Sequence, residues 1–77
     1  MDKAEFNKLF GDYLKKIRTE KGLTQLDLAS IMNVNPQNIS AIERGEVSPT
    51  LFWIHKLASA LKINTNDFLN QFYINNF

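Results

Sequence analysis

A stretch from Thr24 to Gly45 holds two short amphipathic segments that only the three residues NVN separate. Thr24 is a good N-cap for the first segment, and Asp27 stands three residues later in a capping-box-like position. Asn35 and Pro36 suit the start of the second segment, because asparagine caps a helix and proline in the first turn costs no hydrogen bond. So short a connection predicts two helices that cross steeply instead of lying antiparallel.

Apolar residues at helical spacing predict three further helices around this pair. The first runs from about residue 3 to Lys21, with Gly22 just beyond it in a position typical of a helix end. A fourth helix begins near residues 48–50, and a fifth begins near Thr65. The buried face of the fourth helix is predicted to comprise Leu51, Ile54, Leu57, Ala58 and Leu61. Five short helices joined by short loops predict one all-α domain over residues 1–77.

The composition of the chain excludes several classes of protein and site. The chain has no cysteine, which rules out disulfides, thiolate catalysis and thiol zinc sites. His55 is the only histidine, and no metal-binding cluster, nucleophile–base pair or glycine-rich phosphate loop accompanies it. We therefore predict a protein that is not an enzyme and uses no metal or cofactor. No apolar run approaches the length of a membrane span, and the N-terminus has no signal-peptide pattern, which predicts a cytoplasmic protein without membrane contact.

The second helix of the Thr24–Gly45 pair has a polar outer face, although the net charge of +1 does not by itself indicate a nucleic-acid partner. Ile39 and Ile42 are predicted to point into the core. The outward residues are then Pro36, Gln37, Asn38, Ser40, Ala41 and Arg44. Glutamine and asparagine amides can make paired hydrogen bonds to adenine in the DNA major groove, and an alanine methyl can contact thymine. This helix is therefore a candidate base reader, while the alternative is an ordinary solvated surface.

From about Phe10 to Leu69 the sequence resembles the phage-repressor-like helix-turn-helix family, also called the Cro/CI or XRE type. The residues that carry the resemblance are Leu14, Ile17, Arg18, Lys21, Gly22, Leu23, Thr24, Gln25, Leu28, Ala29, Val34, Ile39, Ser40, Ile42, Glu43, Arg44, Gly45, Pro49, Leu57, Ala58 and Leu61. Each is weak evidence alone, but together and at these spacings they are typical of the family. The resemblance implies a compact five-helix, lambda-repressor-like fold with its helix-turn-helix core at about residues 24–44. The chain is also similar in size and layout to the controller proteins of restriction-modification systems.

The resemblance implies a role for individual residues of this core. Base-edge contacts are expected from Gln37, Asn38 and Ala41, while Ser40 is compatible with either a base or a phosphate contact. DNA-backbone contacts are expected from Gln25, Asn35 and Arg44. An arginine on the first helix pairs with a glutamate at the end of the third in this family, which predicts a structural ion pair between Arg18 and Glu43. Pro36 stands where many relatives carry a polar reader, so readout is expected to shift onto its neighbours.

The C-terminal half has more aromatic residues than one small core is expected to bury. Phe52 and Trp53 fall off the predicted buried stripe of the fourth helix, and the fifth helix adds Phe72 and Tyr73. Exposed aromatic patches often mark protein interfaces. We therefore predict a homodimer formed by the helices at about residues 50–77, with these four aromatics in the interface. The alternative is that the same rings close a larger monomeric core.

Together these patterns predict a sequence-specific transcriptional regulator of a bacterium or phage that binds double-stranded DNA. A homodimer would place its two recognition helices, at about residues 35–44, in major grooves about 34 Å apart on a palindromic operator. So short a chain is expected to regulate by occupying DNA, alone or with a contact to RNA polymerase. The alternative is a protein-interaction module, such as an antitoxin that holds its partner through the aromatic C-terminal surface.

Overall fold

The computed structural model describes residues 1–77, which form five α-helices and no strand. The helices are α1 (Lys3–Glu20), α2 (Gln25–Met32), α3 (Pro36–Glu43), α4 (Leu51–Ala60) and α5 (Thr65–Asn76). The predicted all-α fold and the order of its helices are confirmed. None of the helices combines the length and the apolar character that spanning a membrane requires.

Each helix begins at a side chain that accepts a backbone N–H from the first turn, which satisfies a donor that the helix start leaves free. These N-caps are Asp2, Thr24, Asn35, Thr50 and Asn64. The capping box of α2 is complete, because the Asp27 carboxylate accepts from the Thr24 N–H at 2.9 Å and Thr24 Oγ1 accepts from the Asp27 N–H at 3.0 Å. The hydrogen bond from the Thr24 backbone favours the charged carboxylate and lowers the pKa of Asp27.

The turn between α2 and α3 depends on Asn33, which adopts the left-handed conformation with φ 57° and ψ 47°. Asparagine tolerates this region better than most residues other than glycine. Val34 follows and packs its half-buried side chain against the core. Ala29 is fully buried and adds little bulk, so α3 can lie close to α2. The predicted turn is therefore built from a residue that bends the chain and a residue that anchors it.

α5 runs antiparallel along α1 and closes the core with aromatic rings. Successive pairs are Tyr13 with Phe68, Phe10 with Phe72 and Phe6 with Phe77, whose ring centroids lie 5.2, 5.5 and 6.3 Å apart. The Tyr13 hydroxyl donates to the Phe68 carbonyl oxygen at 2.7 Å. The first and last helices, which lie outside the helix-turn-helix pair, are thus held together by stacked and edge-on rings.

α1 also passes the C-terminal end of α3 at very short range. A Cβ at Gly11 would lie 2.6 Å from the Glu43 carbonyl oxygen and closer still to that of Ile42, so glycine permits an approach that a side chain would block. Asn7 is buried, and its side-chain oxygen accepts a hydrogen bond from Ser48 Oγ at 2.5 Å. These contacts fix the position of α3, and of the loop that follows it, relative to α1.

The predicted faces of α4 and α5 need three corrections. Leu51, predicted on the buried face of α4, is 71% exposed, because it is the first residue of the helix and lies outside the core. Trp53, predicted off that face, is half-buried and packs against the core. Phe72 is 0% exposed within one chain, since it lies at the centre of the ring cluster between α1 and α5. This burial removes Phe72 from the predicted dimer interface.

Candidate nucleic-acid interface

One side of α3 carries a polar stripe. Gln37, Ser40 and Arg44 follow one another at spacings of three and four residues, so their side chains lie in a row along the helix. This row shares a shallow depression of about 300 Å³ with Gln25 and Pro36. The fold therefore brings the start of α2 to the same depression as the polar row of α3.

The adjacent side of α3 carries Asn38 and Ala41. These two residues line a second depression, of about 270 Å³, whose far wall is formed by residues 47–50 and Trp53. The two isoleucines of α3 lie buried beneath both sides. The six outward residues predicted for α3 thus stand on a helix that is anchored from below and divide into two neighbouring rows.

Gln25 occupies the first position of α2 and reaches across to the end of α3. Its side-chain amide donates to Glu43 Oε1 at 3.0 Å, and the residue is half-buried. This hydrogen bond holds Gln25 at the rim of the depression that also contains Gln37. The start of α2 provides free backbone N–H groups at the same place, an arrangement that suits a phosphate.

The structure contains the ion pair between Arg18 and Glu43 that the sequence predicts. Arg18 Nε donates to Glu43 Oε2 at 2.6 Å, and Arg18 Nη2 donates to Glu43 Oε1 at 2.9 Å. The remaining nitrogen, Nη1, donates to the Leu23 carbonyl oxygen at 2.7 Å. The hydrogen bond to Glu43 raises the pKa of Arg18. Glu43 therefore accepts from both Arg18 and Gln25, and it connects the scaffold to the polar face.

Arg44, the cation at the end of the α3 face, is paired with the carboxylate of Glu46. Arg44 Nε donates to Glu46 Oε2 at 2.6 Å, Nη2 donates to Oε1 at 3.0 Å, and Nη1 donates to Ser40 Oγ. The side-chain hydrogen bond between the two groups raises the pKa of Arg44 and lowers the pKa of Glu46. Glu46 had no role in the sequence-based prediction. The available signal was an acid placed two residues after an arginine, across the glycine that ends the helix.

Two further predicted positions have local roles in the structure. The Asn35 side-chain oxygen accepts from the Gln37 N–H at 2.9 Å, so Asn35 caps α3, and its DNA-backbone contact stays a prediction. His55 lies on the surface, where its Nδ1 is 3.0 Å from Thr65 Oγ1. Neither residue adds a charge to the α3 face.

A model of the helix-turn-helix family named HTH_3 matches residues 14–68, which include all of α2, α3 and α4. The chain belongs to this helix-turn-helix family. It is 35% identical over 60 residues to an uncharacterized HTH-type transcriptional regulator, y4dJ, of Sinorhizobium fredii, and the match covers 78% of each chain. It is 38% identical over 61 residues to YonR, an uncharacterized HTH-type transcriptional regulator derived from the SPbeta prophage of Bacillus subtilis, with 79% of this chain and 56% of YonR covered. The prediction of a regulator instead of an enzyme agrees with these relatives.

Solved structures of restriction-modification controller proteins have the same fold as this helix-turn-helix chain. C.AhdI from Aeromonas hydrophila matches with a TM-score of 0.78 and 34% identity, covering 83% of this chain and 97% of C.AhdI. C.Esp1396I, solved as a tetramer in complex with its natural 35 base-pair operator, matches with a TM-score of 0.80 and 31% identity, covering 87% and 88% of the two chains. The predicted resemblance to this family and to its controller proteins is confirmed.

Proposed function

We propose that this helix-turn-helix protein is a transcriptional regulator that binds double-stranded DNA with α3 in the major groove. The observation that carries the proposal is the outward face of α3, where amide side chains lie exposed on a helix that the Arg18–Glu43 pair fixes to α1. An α-helix fits the width of the major groove, and glutamine and asparagine amides match the hydrogen-bonding edge of adenine. Relatives of known structure include a controller protein in complex with its operator, which supports the same use of the fold here.

The exposed residues of α3 and the start of α2 are proposed to have two kinds of contact with DNA. Gln37 and Asn38, near the start of the helix, are proposed to read base edges together with Ala41, and Ser40 is proposed to contact a base beside them. Gln25 and Arg44, which both line the first depression, are proposed to contact phosphates, as is Asn35, the N-cap of α3. Phosphate contacts of this kind set the register of a protein on the duplex, and base contacts supply the specificity.

We further propose that the protein acts as a homodimer on a palindromic operator. Leu51 and Phe52 are both strongly exposed at the start of α4, next to the loop that follows the recognition helix. Burying such a pair against a second copy would remove apolar surface from water. Tyr73 on α5, another aromatic residue of the predicted interface, is about half exposed and could also contact a second copy. A two-fold axis would place the two copies of α3 about 34 Å apart, one helical turn of DNA.

Fluorescence anisotropy with two labelled duplexes tests the proposed function. One duplex contains the DNA upstream of the protein's own gene, and the other has a random sequence of equal length. We expect binding to the upstream DNA to be at least about a thousandfold tighter than to the random duplex at near-physiological salt. Equal, weak and strongly salt-sensitive binding to both duplexes would contradict sequence-specific regulation from this site.

A second candidate function, a protein-interaction module of the antitoxin kind, is favoured by the end of α5. Tyr73, Ile74 and Phe77 all expose apolar surface there, although one chain already contains a complete core. A pull-down that recovers one partner in equal amount, and that loses it on substitution of Ile74 by Ser, would support this module. Recovery that is unchanged by the substitution would exclude the α5 surface as the binding site.

A further inference from the structure

Arg44 is not a free cation on the α3 face, because most of its hydrogen-bond donors are already engaged within the chain. A guanidinium has five N–H donors in a planar fork. Two of them bond the Glu46 carboxylate, at 2.6 and 3.0 Å, and a third bonds Ser40 Oγ. The pair remains open to solvent, with 54% and 55% of the two side chains exposed.

The backbone after α3 holds Glu46 in the position that this contact needs. The Glu46 N–H donates to the Ala41 carbonyl oxygen at 3.0 Å, and the Gly45 N–H donates to the Ile42 carbonyl oxygen at 3.0 Å. These two bonds form a Schellman motif, in which Gly45 takes the left-handed conformation with φ 75°. The chain therefore folds back over the last turn of α3, and the Glu46 carboxylate comes to lie beside Arg44.

We propose that Glu46 is an intramolecular competitor for the DNA phosphate that Arg44 contacts, and that it limits the affinity of the protein for every duplex. This inference rests on the proposed function, since it requires α3 to approach DNA. Carboxylate and phosphate both bind a guanidinium through two parallel hydrogen bonds, so the two groups compete for the same edge of Arg44. Binding separates Arg44 from Glu46 and leaves a carboxylate near a phosphate of the same charge. Both effects are independent of base sequence.

The competition also changes how binding depends on salt. A cation that neutralises a phosphate releases the counterions of that phosphate, which makes binding weaker as salt rises. When Arg44 leaves Glu46, the freed carboxylate attracts a cation in turn and offsets that release. In the wild-type protein, Arg44 should therefore add little to the salt dependence of binding.

The test measures binding to a random-sequence duplex, by fluorescence anisotropy, over a series of salt concentrations. Glu46→Gln is compared with wild type and with Asp12→Asn as a matched control. Asp12 is also an exposed acid in a surface ion pair, 2.9 Å from Lys8 Nζ, and it lies on α1 away from the α3 face. We expect Glu46→Gln to bind about two- to fivefold more tightly at low salt, the range that an exposed ion pair spans. The slope of log Kobs against log salt should steepen by about one, and Asp12→Asn should change both quantities less.

The Arg44→Ala background shows whether Glu46 acts through Arg44. If it does, Glu46→Gln should give a clearly smaller gain in the Arg44→Ala background than in the wild-type protein, because only the repulsion between the Glu46 carboxylate and the DNA phosphates then remains to be relieved. A full gain without Arg44 would mean simple repulsion of DNA by Glu46 and would overturn the proposal, as would identical behaviour of Glu46→Gln and Asp12→Asn.

Failure of the inference and failure of the proposed function give different results. If the wild-type protein prefers its upstream DNA but Glu46→Gln binds random DNA no differently from Asp12→Asn, only the proposed competition by Glu46 is overturned. A Glu46→Gln gain on random DNA, without any preference for upstream DNA, overturns specific regulation alone. Absence of binding to either duplex by wild type and Glu46→Gln overturns both.

Discussion

The guanidinium of Arg18 and the carboxylate of Glu43 join α1 to the end of α3 through two hydrogen bonds of 2.6 and 2.9 Å. The side chains are only 7% and 3% exposed. Removing one partner leaves the other as an unpaired buried charge, which typically costs about 3–5 kcal/mol. We expect Arg18→Met to lower the free energy of unfolding by about that amount, measured by urea titration with circular dichroism.

The double variant Arg18→Met, Glu43→Leu separates the charge effect from lost packing. It removes both charges, and replacing a buried pair by apolar residues is often close to neutral. The double variant should therefore recover at least about 1 kcal/mol relative to Arg18→Met alone. If it is no more stable than the single variant, the cost does not come from an unpaired Glu43.

Replacing Gly11 by alanine should lower the stability of the protein, although helix propensity alone would raise it. Alanine in place of glycine inside a helix usually stabilises by about 0.5–1 kcal/mol. Here the new Cβ would meet the carbonyl oxygens at the end of α3, with the Glu43 oxygen at 2.6 Å, and backbone atoms cannot move aside cheaply. We expect Gly11→Ala to destabilise the domain by about 1–3 kcal/mol in a urea titration and to weaken DNA binding, because α3 must shift.

Gly22→Ala is the matched control for this substitution. Gly22 has φ 73°, but no neighbouring side chain or backbone segment comes within 4 Å of the position that a Cβ would take, so alanine there meets backbone strain without a clash. We expect a loss of about 1–2 kcal/mol and unchanged DNA affinity of the folded protein. A Gly11→Ala protein that is more stable than wild type would contradict the close approach of α1 and α3.

Ionisation of the Tyr13 phenol should lower the stability of the protein in alkali. Burial, with a smaller contribution from the charge of Glu20, raises the pKa of the Tyr13 phenol above its ordinary value of 10.0. The folded chain therefore keeps this proton more tightly than the unfolded chain. Its contribution to stability is complete below pH 10 and falls as the pH rises from there toward the higher folded pKa.

Tyr13→Phe should remove this part of the pH dependence. It should also cost about 1 kcal/mol at neutral pH, because the 2.7 Å hydrogen bond to the Phe68 carbonyl oxygen is lost. Urea titrations at neutral and alkaline pH measure both effects, and Tyr73→Phe, at an exposed phenol, is the control. Equal alkaline losses in wild type and Tyr13→Phe would assign the pH dependence to other groups.

The helix ends were predictable from the sequence because they depend on neighbouring residues. Thr24 and Asn35 cap their helices, and Asn33 takes the left-handed conformation, all through contacts within a few positions along the chain. The faces of α4 were less predictable. Leu51 has the right spacing for the buried stripe, but only the tertiary structure shows that this first residue of α4 lies outside the core, whereas Trp53 packs against it.

The candidate site likewise has some features that the sequence predicts and others that only the tertiary structure shows. The outward set on α3 follows from helical spacing, since Gln37 and Asn38 are exposed and the two isoleucines are buried. The hydrogen bond from Gln25 to Glu43 joins residues 18 positions apart and requires the packing of α2 on α3. The contact of Arg44 with Glu46 requires the chain to turn back at the end of α3. The spacing of residues along one helix predicts neither of these two contacts.

The proposed roles of two glutamines predict different losses of DNA affinity. Gln37→Ala should weaken binding to the upstream DNA by about 1–3 kcal/mol and leave binding to random DNA unchanged. Gln25→Ala should weaken binding to both duplexes alike, since a phosphate contact carries no sequence information. Gln71→Ala, on an exposed position of α5, is the control for losing a surface amide. Equal losses on both duplexes for Gln37→Ala would contradict base readout.

A substitution at the start of α4 should abolish dimerisation without unfolding the protein. Phe52 is 65% exposed, and its ring lies 5.6 Å from Lys56 Nζ, so it contributes little to the core of one chain. Phe52→Ser should leave the free energy of unfolding of the monomer within about 0.5 kcal/mol of wild type. Sedimentation at micromolar concentration should show a dimer for wild type and a monomer for this variant.

Phe72→Ala should instead destabilise the folded monomer. Phe72 is enclosed by the rings of α1 and α5, so its truncation should lower the free energy of unfolding by about 3–5 kcal/mol. Wild type that sediments as a monomer would contradict the proposed dimer altogether. A Phe52→Ser protein that still dimerises, together with a Tyr73→Ser protein that does not, would move the interface from α4 to α5. The two surface variants thus distinguish the helices that the sequence grouped into one dimerisation region, because each truncates a ring that is about half exposed or more in one chain.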